Sequence, residues 1–460
     1  MSILVKNGII VTSKSCYRAD VLVEGEKIVE IAEKIPANSG MTVIDAKGKY
    51  LFPGAIDVHV HLQLPFCGTV SSDDFLTGTR AAAYGGVTTV IDFAIQTKGS
   101  TIREAVEARR KEADPKVCVD YGLHAGVTDW NERTKKEIGQ IVESGIPSFK
   151  FFMIYKKQGW MADDGALYGA FLETARHGGM VGVHAENPYL IDMFTDELIA
   201  AEKKSCYNHA LSRPNFTEAE AVKRAIYLAE QTNGNLYIVH LSTREAAEEV
   251  YEGKLKGVNV YAETGPQYLM LTDDKFKLKT GHLYATCPPV RSKEDNEALW
   301  EALEQGILEV LATDHCAFTS KQKAMWKGDF RNIPFGMPGV ETMVPIAYSE
   351  GVSKKRFTVN KLVDLISTNP AKLFGLFPKK GAIQVGSDAD IVVYDPKAKK
   401  KLSAKTHHQN IDFSPYEGLA VTGYPEVTLL RGKVIVDKGE YIGTPGEGKF
   451  VKRNAGSTLE

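Results

Sequence analysis

The heptapeptide AIDVHVH at residues 55–61 decides how the rest of the chain is read. It is a short apolar run ending on two histidines one residue apart. Side chains at i and i+2 of a strand point the same way, so His59 and His61 share one face. Before it, 1–52 holds short Val- and Ile-rich runs (ILVKNGIIVTS, ADVLVEGEKIVEIA, KYLFP) broken by Asn7-Gly8 and Gly25. After it the pattern becomes strand then helix, repeated. The further strand candidates are TTVIDFA (88–94), VDYGLHAG (119–126), SFKFFM (148–153), VGVHAE (181–186), LYIVHLS (236–242), VNVYAETGP (258–266) and LEVLATDH (308–315). TIREAVEARRKEA, KKEIGQIVES, TEAEAVKRAIYLAEQ, TREAAEEVYEG and NEALWEALEQG lie between them, with apolar residues at three- and four-residue spacing. Such alternation predicts parallel strands covered by helices, and about eight units close a (β/α)8 TIM barrel over 53–376. GAIQVGSDADIVVYDP and EVTLLRGKVIVDKGEYIG return to strand signals. Residues 377–443 therefore pair with 1–52 in a small β-sandwich built from both chain ends. The polar stretch 444–460 reads as a tail or an oligomer contact.

Composition narrows the function classes. Hydrophobic residues at 43% and charged residues at 25% suit a globular enzyme, and a formal charge of −2 gives nucleic acid no basic footprint. No uninterrupted apolar stretch is long enough to span a membrane, and Met1-Ser2-Ile3-Leu4-Val5-Lys6 lacks a signal-peptide layout. The six cysteines form no CxxC pair, which points to reduced thiols and a cytoplasmic address.

Six residues at the ends of these runs carry the chemistry: His59, His61, Lys150, His184, His240 and Asp314. Barrel enzymes build their sites at the carboxyl ends of the strands. Any one histidine there is readily a hydrogen-bonded structural residue, so the case rests on coincidence. Lys150 discriminates. A cationic ammonium in a barrel mouth would repel metal ions and lose hydration. If CO2 adds to the neutral amine, the product is a carbamate (N6-carboxylysine) whose two oxygens can bridge two divalent ions. Imidazole and oxygen ligands favour zinc, with manganese or cobalt as alternatives. Two such ions can hold a bridging hydroxide at neutral pH and polarise a carbonyl. Asp314 would bind one ion and carry the hydroxide's proton to a leaving nitrogen. The Tyr155 phenol, five residues past Lys150, could donate to a developing oxyanion. His124 reads as a support for the metal ligands or as structural; His315 reads as structural, and His177, His209, His282, His407 and His408 carry no signal. The Gly- and Pro-bearing stretch 318–339 reads as a loop able to close over the site.

These residues carry a resemblance. PGAIDVHVHLQLPFCGTVSSDDF, SFKFFMIYK, GGMVGVHAEN, LYIVHLSTREA, YAETGPQYLML, CPPVRS, ATDHCAF and NPAKLFGLFPKKGAIQVGSDADIVVYDP are similar to the hydantoinase/dihydropyrimidinase branch of the cyclic amidohydrolases, nearest its D-hydantoinases. The resemblance implies a homotetramer or homodimer of barrel plus sandwich that opens a small cyclic diamide. It implies one metal on His59, His61, carbamylated Lys150 and Asp314, a second on Lys150, His184 and His240, and Tyr155 on the substrate carbonyl. It places Cys287 and Phe335 where family members contact the ring amides, with residue types that differ from the usual ones. Dihydroorotases carry an arginine just after the His-x-His pair, but here His61 is followed by Leu62-Gln63-Leu64-Pro65-Phe66. An uncharged, partly apolar ring substituent therefore fits Leu64, Phe66, Phe152 and Trp160, since a buried carboxylate without a partner is costly. The implied reaction is hydrolysis of hydantoins or 5,6-dihydropyrimidines to N-carbamoyl amino acids. The rival readings are an allantoinase-like ring hydrolase, a mononuclear deaminase and a non-catalytic scaffold of the same fold.

Overall fold

The structure is a computed structural model that describes residues 2–456, 458 and 459; Met1 and the tail residues Ser457 and Glu460 lie outside the described residues. Eight parallel strands form the barrel: β1 (Ala55–Val60), β2 (Val87–Ile95), β3 (Asp120–Gly126), β4 (Ser148–Phe152), β5 (Met180–His184), β6 (Asn235–Ile238), β7 (Val260–Thr264) and β8 (Val310–Leu311). Each is hydrogen-bonded to its neighbour in sequence. The eight runs read from sequence all become strands, but β8 is only two residues long. The backbone turns left-handed at Asp314, with φ 51°. The barrel closes just beyond β8, where His315 bridges to Val60 and its carbonyl accepts from the His61 N–H at 2.7 Å. Asp57 reinforces the seam by accepting from Thr313 Oγ1 at 2.5 Å and Thr313 N at 3.1 Å.

The helices cover the strands where three-four spacing indicated them, at Ile102–Ala113, Glu132–Glu143, Phe216–Thr232, Arg244–Leu255 and Lys293–Gln305. Thr101 starts the first with a reciprocal capping box to Glu104, which satisfies two otherwise orphaned N–H groups. Phe75–Tyr84, Asp164–Arg176 and Pro188–Ala200 complete the outer layer. Ile56, Val58, Ile91, Met180, Tyr237 and Val310 pack with Phe374 and Val451 in one buried cluster. Each such side chain contributes about 1.5–3 kcal/mol on leaving water. The cluster underpins strands whose opposite ends carry the polar site.

Nine strands from both chain ends form a second, mostly antiparallel sheet. Tyr50–Pro53 is the stitch, antiparallel to Ile391–Lys401 through Pro53↔Ile391, Phe52↔Val392 and Leu51↔Val393. Ser2–Val11 runs beside Tyr50–Pro53, and the hairpin of Ile391–Lys401 with Ala420–Leu430 extends the other side. The C-terminal stretch runs beneath the barrel. Val451 N bonds Tyr121 O at 2.8 Å, Arg453 N bonds Gly145 O at 3.0 Å and Gly456 N bonds Gly178 O at 2.7 Å. Val451 and Arg453 are buried, and Lys452 between them is exposed.

Candidate metal centre and substrate cleft

The six residues converge at one end of the barrel. His59 lies in β1 with His61 just past it. Lys150 lies in β4 and His184 ends β5, while His240 and Asp314 follow β6 and β8. The β1–β2 register shifts between Asp57 and Val60, a bulge of the kind that re-aims side chains beside active sites. His59 Nε2, His61 Nε2 and Asp314 Oδ1 form a triangle with every edge at 3.2 Å. Bonds of about 2.0–2.1 Å to a tetrahedral ion put ligand atoms roughly 3.3–3.4 Å apart, so this triangle fits one divalent metal. The rings continue in a chain. His59 and His240 lie 5.4 Å apart by centroid, and His240 and His184 lie 4.4 Å apart.

Lys150 is 2% exposed, and its Nζ has no hydrogen-bond partner. Phe93 and Phe152 lie 5.8 and 5.4 Å away by ring centroid. Burial lowers its pKa from 10.5 to about 7, although Glu263 and Asp314 pull the other way. Near neutral pH much of the side chain is then the free amine that can take up CO2. Burial also pushes His59, His184 and His240 below the usual imidazole range. Neutral imidazole is the metal-binding form. Lys150 Nζ and His240 Nδ1, buried and without hydrogen-bond partners, are what a ligand set for divalent ions would leave. The triangle therefore fits a divalent ion, and Lys150, His184 and His240 line the same cleft.

The backbone is strained where the site needs it. Tyr155, His240 and Asp314 have φ of 65°, 39° and 51°. Left-handed backbone costs roughly 1–2 kcal/mol per residue for a side chain with a Cβ, and such outliers cluster at functional sites.

Sequence reasoning passed over the carboxylates that hold these ligands. Glu263, at 1% exposure, contacts His59 Nδ1 and accepts from the Tyr237 phenol at 2.9 Å and from His240 N at 3.0 Å. Burial raises its pKa to about 7. Glu186 accepts from His184 Nε2 and from Arg213 Nη1, both at 2.7 Å. Desolvation would raise its carboxyl, but Arg213 and His184 hold it well below the usual range. These contacts fix ring orientation and leave His59 Nε2 and His184 Nδ1 for a metal. The only signal in the sequence was position, because both glutamates stand at the ends of strand runs already singled out.

His124 and His315 are buried and hydrogen-bonded. His124 spans Ser148 Oγ at 2.7 Å and Val58 O at 2.9 Å. His315 Nε2 donates to Asp73 at 3.1 Å, and its Nδ1 accepts from Gly339 N at 3.0 Å.

The triangle opens into a cleft enclosing about 480 Å³ of empty space, part of it open to solvent. Beside the six residues it is lined by Tyr155, Cys287, Phe335, Leu64, Phe66, Phe152 and Trp160, so the fold gathers every candidate site residue at one place. Tyr155 and Trp160 lie 5.9 Å apart by ring centroid, and each lies within 5.2–5.8 Å of both Phe66 and Phe152. The stretch 318–339 contributes Phe335 and Gly336 to the cleft wall. Gln322 ties it to Thr69 Oγ1 at 2.8 Å, and Asp412 accepts from Ser320 N at 2.7 Å.

A barrel with histidines and an aspartate at its strand ends defines a class, and comparison with known proteins agrees with it. Residues 50–435 match the model of the amidohydrolase family. The chain belongs to that family of metal-dependent hydrolases, in its D-hydantoinase/dihydropyrimidinase branch. It is 45% identical to a D-hydantoinase of Geobacillus stearothermophilus over 98% of this chain and 97% of that protein. It is 40% identical to a dihydropyrimidinase of Rattus norvegicus, over 98% and 88%. The crystal structure of a dihydropyrimidinase from Brevibacillus agri superposes with a TM-score of 0.98 at 42% identity and covers both chains completely. No helix among the described residues is long and apolar enough to cross a membrane.

Proposed function

We propose that this chain hydrolyses the amide bond of hydantoins or 5,6-dihydropyrimidines and releases N-carbamoyl amino acids. The observation that carries the reading is the 3.2 Å triangle of His59, His61 and Asp314 beside the buried, unpartnered Lys150 amine. His59, His61, Asp314 and one carbamate oxygen of Lys150 would hold one ion. The other oxygen, His184 and His240 would hold the second. Zinc suits this nitrogen and oxygen set best. When bound, such ions supply Lewis-acid chemistry, acidifying a water and polarising a ring carbonyl.

The chain's own side chains do the rest. Lys150 takes up CO2 as the neutral amine. Asp314 accepts the proton of the attacking water and returns it to the departing ring nitrogen. Tyr155 turns its O–H towards the carbonyl oxygen as negative charge grows there. Glu186 and Glu263 keep His184 and His59 in one tautomer. The aromatic group of Phe66, Phe152 and Trp160 with Leu64 receives the ring substituent and offers it no cation. Phe335 and Cys287 close the wall near the ring amides.

Further features belong to the same reading. Tyr189, Met193, Phe216 and Tyr227 are exposed on neighbouring outer helices, which supports a homodimer or homotetramer. All six cysteines are free, in keeping with a cytoplasmic address. The units are 1–52 with 377–443, the barrel 53–376, and a tail whose Val451, Arg453 and Gly456 bond beneath the barrel. The test is a substrate panel of hydantoin, 5,6-dihydrouracil, allantoin and dihydroorotate with metal quantified per subunit. Turnover of the first two with close to two ions per chain is expected. Turnover of allantoin alone, or none with a full complement of metal, would overturn the reading.

A further inference from the structure

Beside the metal cleft lies a second cavity of about 720 Å³ of empty space, part of it open to solvent. Tyr155 and Phe335 line both, so they stand where the two meet. The Phe335 ring stacks on buried His209 at 4.5 Å by centroid, and His209 Nε2 bonds Thr286 O at 2.8 Å. The Arg213 guanidinium lies 6.0 Å from the same Phe335 ring. Lys156, Lys157, Arg213 and Arg331 line this cavity against one acid, Asp192. Lys157 lies 3.3 Å from Asp192, and Arg331 lies 2.5 Å from Asp329. Arg213 gives Nη1 to Glu186 at 2.7 Å, while its Nε and Nη2 make no hydrogen bond among the described residues. Lys156 is exposed, has no ion pair among the described residues, and sets its Nζ 4.8 Å from the Tyr189 ring.

We propose that this second cavity is a subsite for the carboxylate of the product, with Arg213 and Lys156 as its cations. In the reaction read above, the water oxygen bonds to the ring carbonyl carbon, the ring C–N bond breaks, and its nitrogen takes a proton. The new carboxyl group then loses its own proton at neutral pH, because its pKa is about 4. A neutral ring becomes an anion, and the charge forms at the carbonyl held by Tyr155, on the wall of the cationic cavity. The Nε–Nη2 edge of a guanidinium and a nearby ammonium suit a carboxylate and gain little from an uncharged ring. Phe66, Phe152 and Trp160 serve the ring substituent on the other side of Tyr155, so the two sides distinguish substrate from product. The inference rests on the function proposed above.

The test measures the Ki of N-carbamoylglycine against hydantoin hydrolysis by the metal-loaded enzyme, with N-carbamoylglycinamide as the uncharged comparison. Lys156→Gln is expected to raise that Ki about threefold and Lys156→Glu about tenfold, with KM for hydantoin and metal content within about twofold of the parent. Inhibition by the amide stays unchanged. Added salt weakens carboxylate binding in the parent more than in Lys156→Glu. Lys111→Glu, on helix Ile102–Ala113 and lining neither cavity, leaves the Ki unchanged. An unchanged Ki in both Lys156 variants, equal shifts for acid and amide, or the same shift from Lys111→Glu would overturn this inference and leave the function intact. Absence of hydantoin turnover in the metal-loaded parent would overturn the function and this inference with it.

Discussion

Replacing Glu263 by Gln weakens metal binding by about 10–100-fold, the usual effect of losing the outer partner of a ligating histidine. The structure gives the reason. Glu263 is 1% exposed and serves three donors: the His59 ring, the Tyr237 phenol and the His240 backbone N–H. A carboxamide has one acceptor oxygen and brings two donors of its own. At least one of the three groups loses its acceptor, and a buried group left so costs about 1–3 kcal/mol. A 10–100-fold loss of affinity is about 1.4–2.8 kcal/mol, so the two estimates agree. The assay is competition with a chelator of known zinc affinity, alongside thermal unfolding with and without metal. The melting temperature falls in both states, and the stabilisation by metal narrows. An affinity within twofold of the parent would refute the claim that Glu263 orients His59.

Three other expectations follow from the same geometry. Lys150→Ala loses metal and activity together, by more than the 10–100-fold assigned to an outer partner. Short carboxylic acids restore part of the turnover; full metal content in that variant would contradict the bridging role. For the metal-free, uncarbamylated chain, stability rises with pH between about 7 and 10.5. Across that window the unfolded Lys150 holds a proton that the folded one has shed. Lys150→Met flattens this slope in pH-dependent denaturation, and identical slopes would count against the buried amine. Trp160→Ala removes ring contacts to Phe66 and Phe152 worth about 0.5–1.5 kcal/mol each. It lowers kcat/KM for 5-aryl hydantoins about tenfold more than for hydantoin, and an equal effect on both would place the substituent elsewhere.

The barrel was legible because its strands end in residues that a solvated surface or a plain core would not select. A lysine within SFKFFM and histidines closing VGVHAE and LYIVHLS are such signals. Glu186 closes VGVHAE and Glu263 stands in VNVYAETGP, yet a glutamate near a strand end reads as a solvated acid until the fold buries it. β8 was over-read. LEVLATDH is apolar from Val310 to Ala312, but the backbone turns left-handed at Asp314 and closure of the barrel passes to His315. Helix Pro188–Ala200 is not among the stretches read as helical; its Tyr189 and Met193 leave apolar groups exposed to solvent. The C-terminal stretch looked polar by composition. Its alternation of buried Val451 and Arg453 with exposed Lys452 appears only once the barrel floor is there to receive it.

The most direct test is diffraction from crystals of the zinc-loaded protein, with data collected on both sides of the zinc absorption edge. The account predicts two anomalous peaks joined by density continuing from Lys150 Nζ, one within about 2.0–2.2 Å of His59, His61 and Asp314, the other as close to His184 and His240. A bare Lys150 amine with no peak beside it would contradict it.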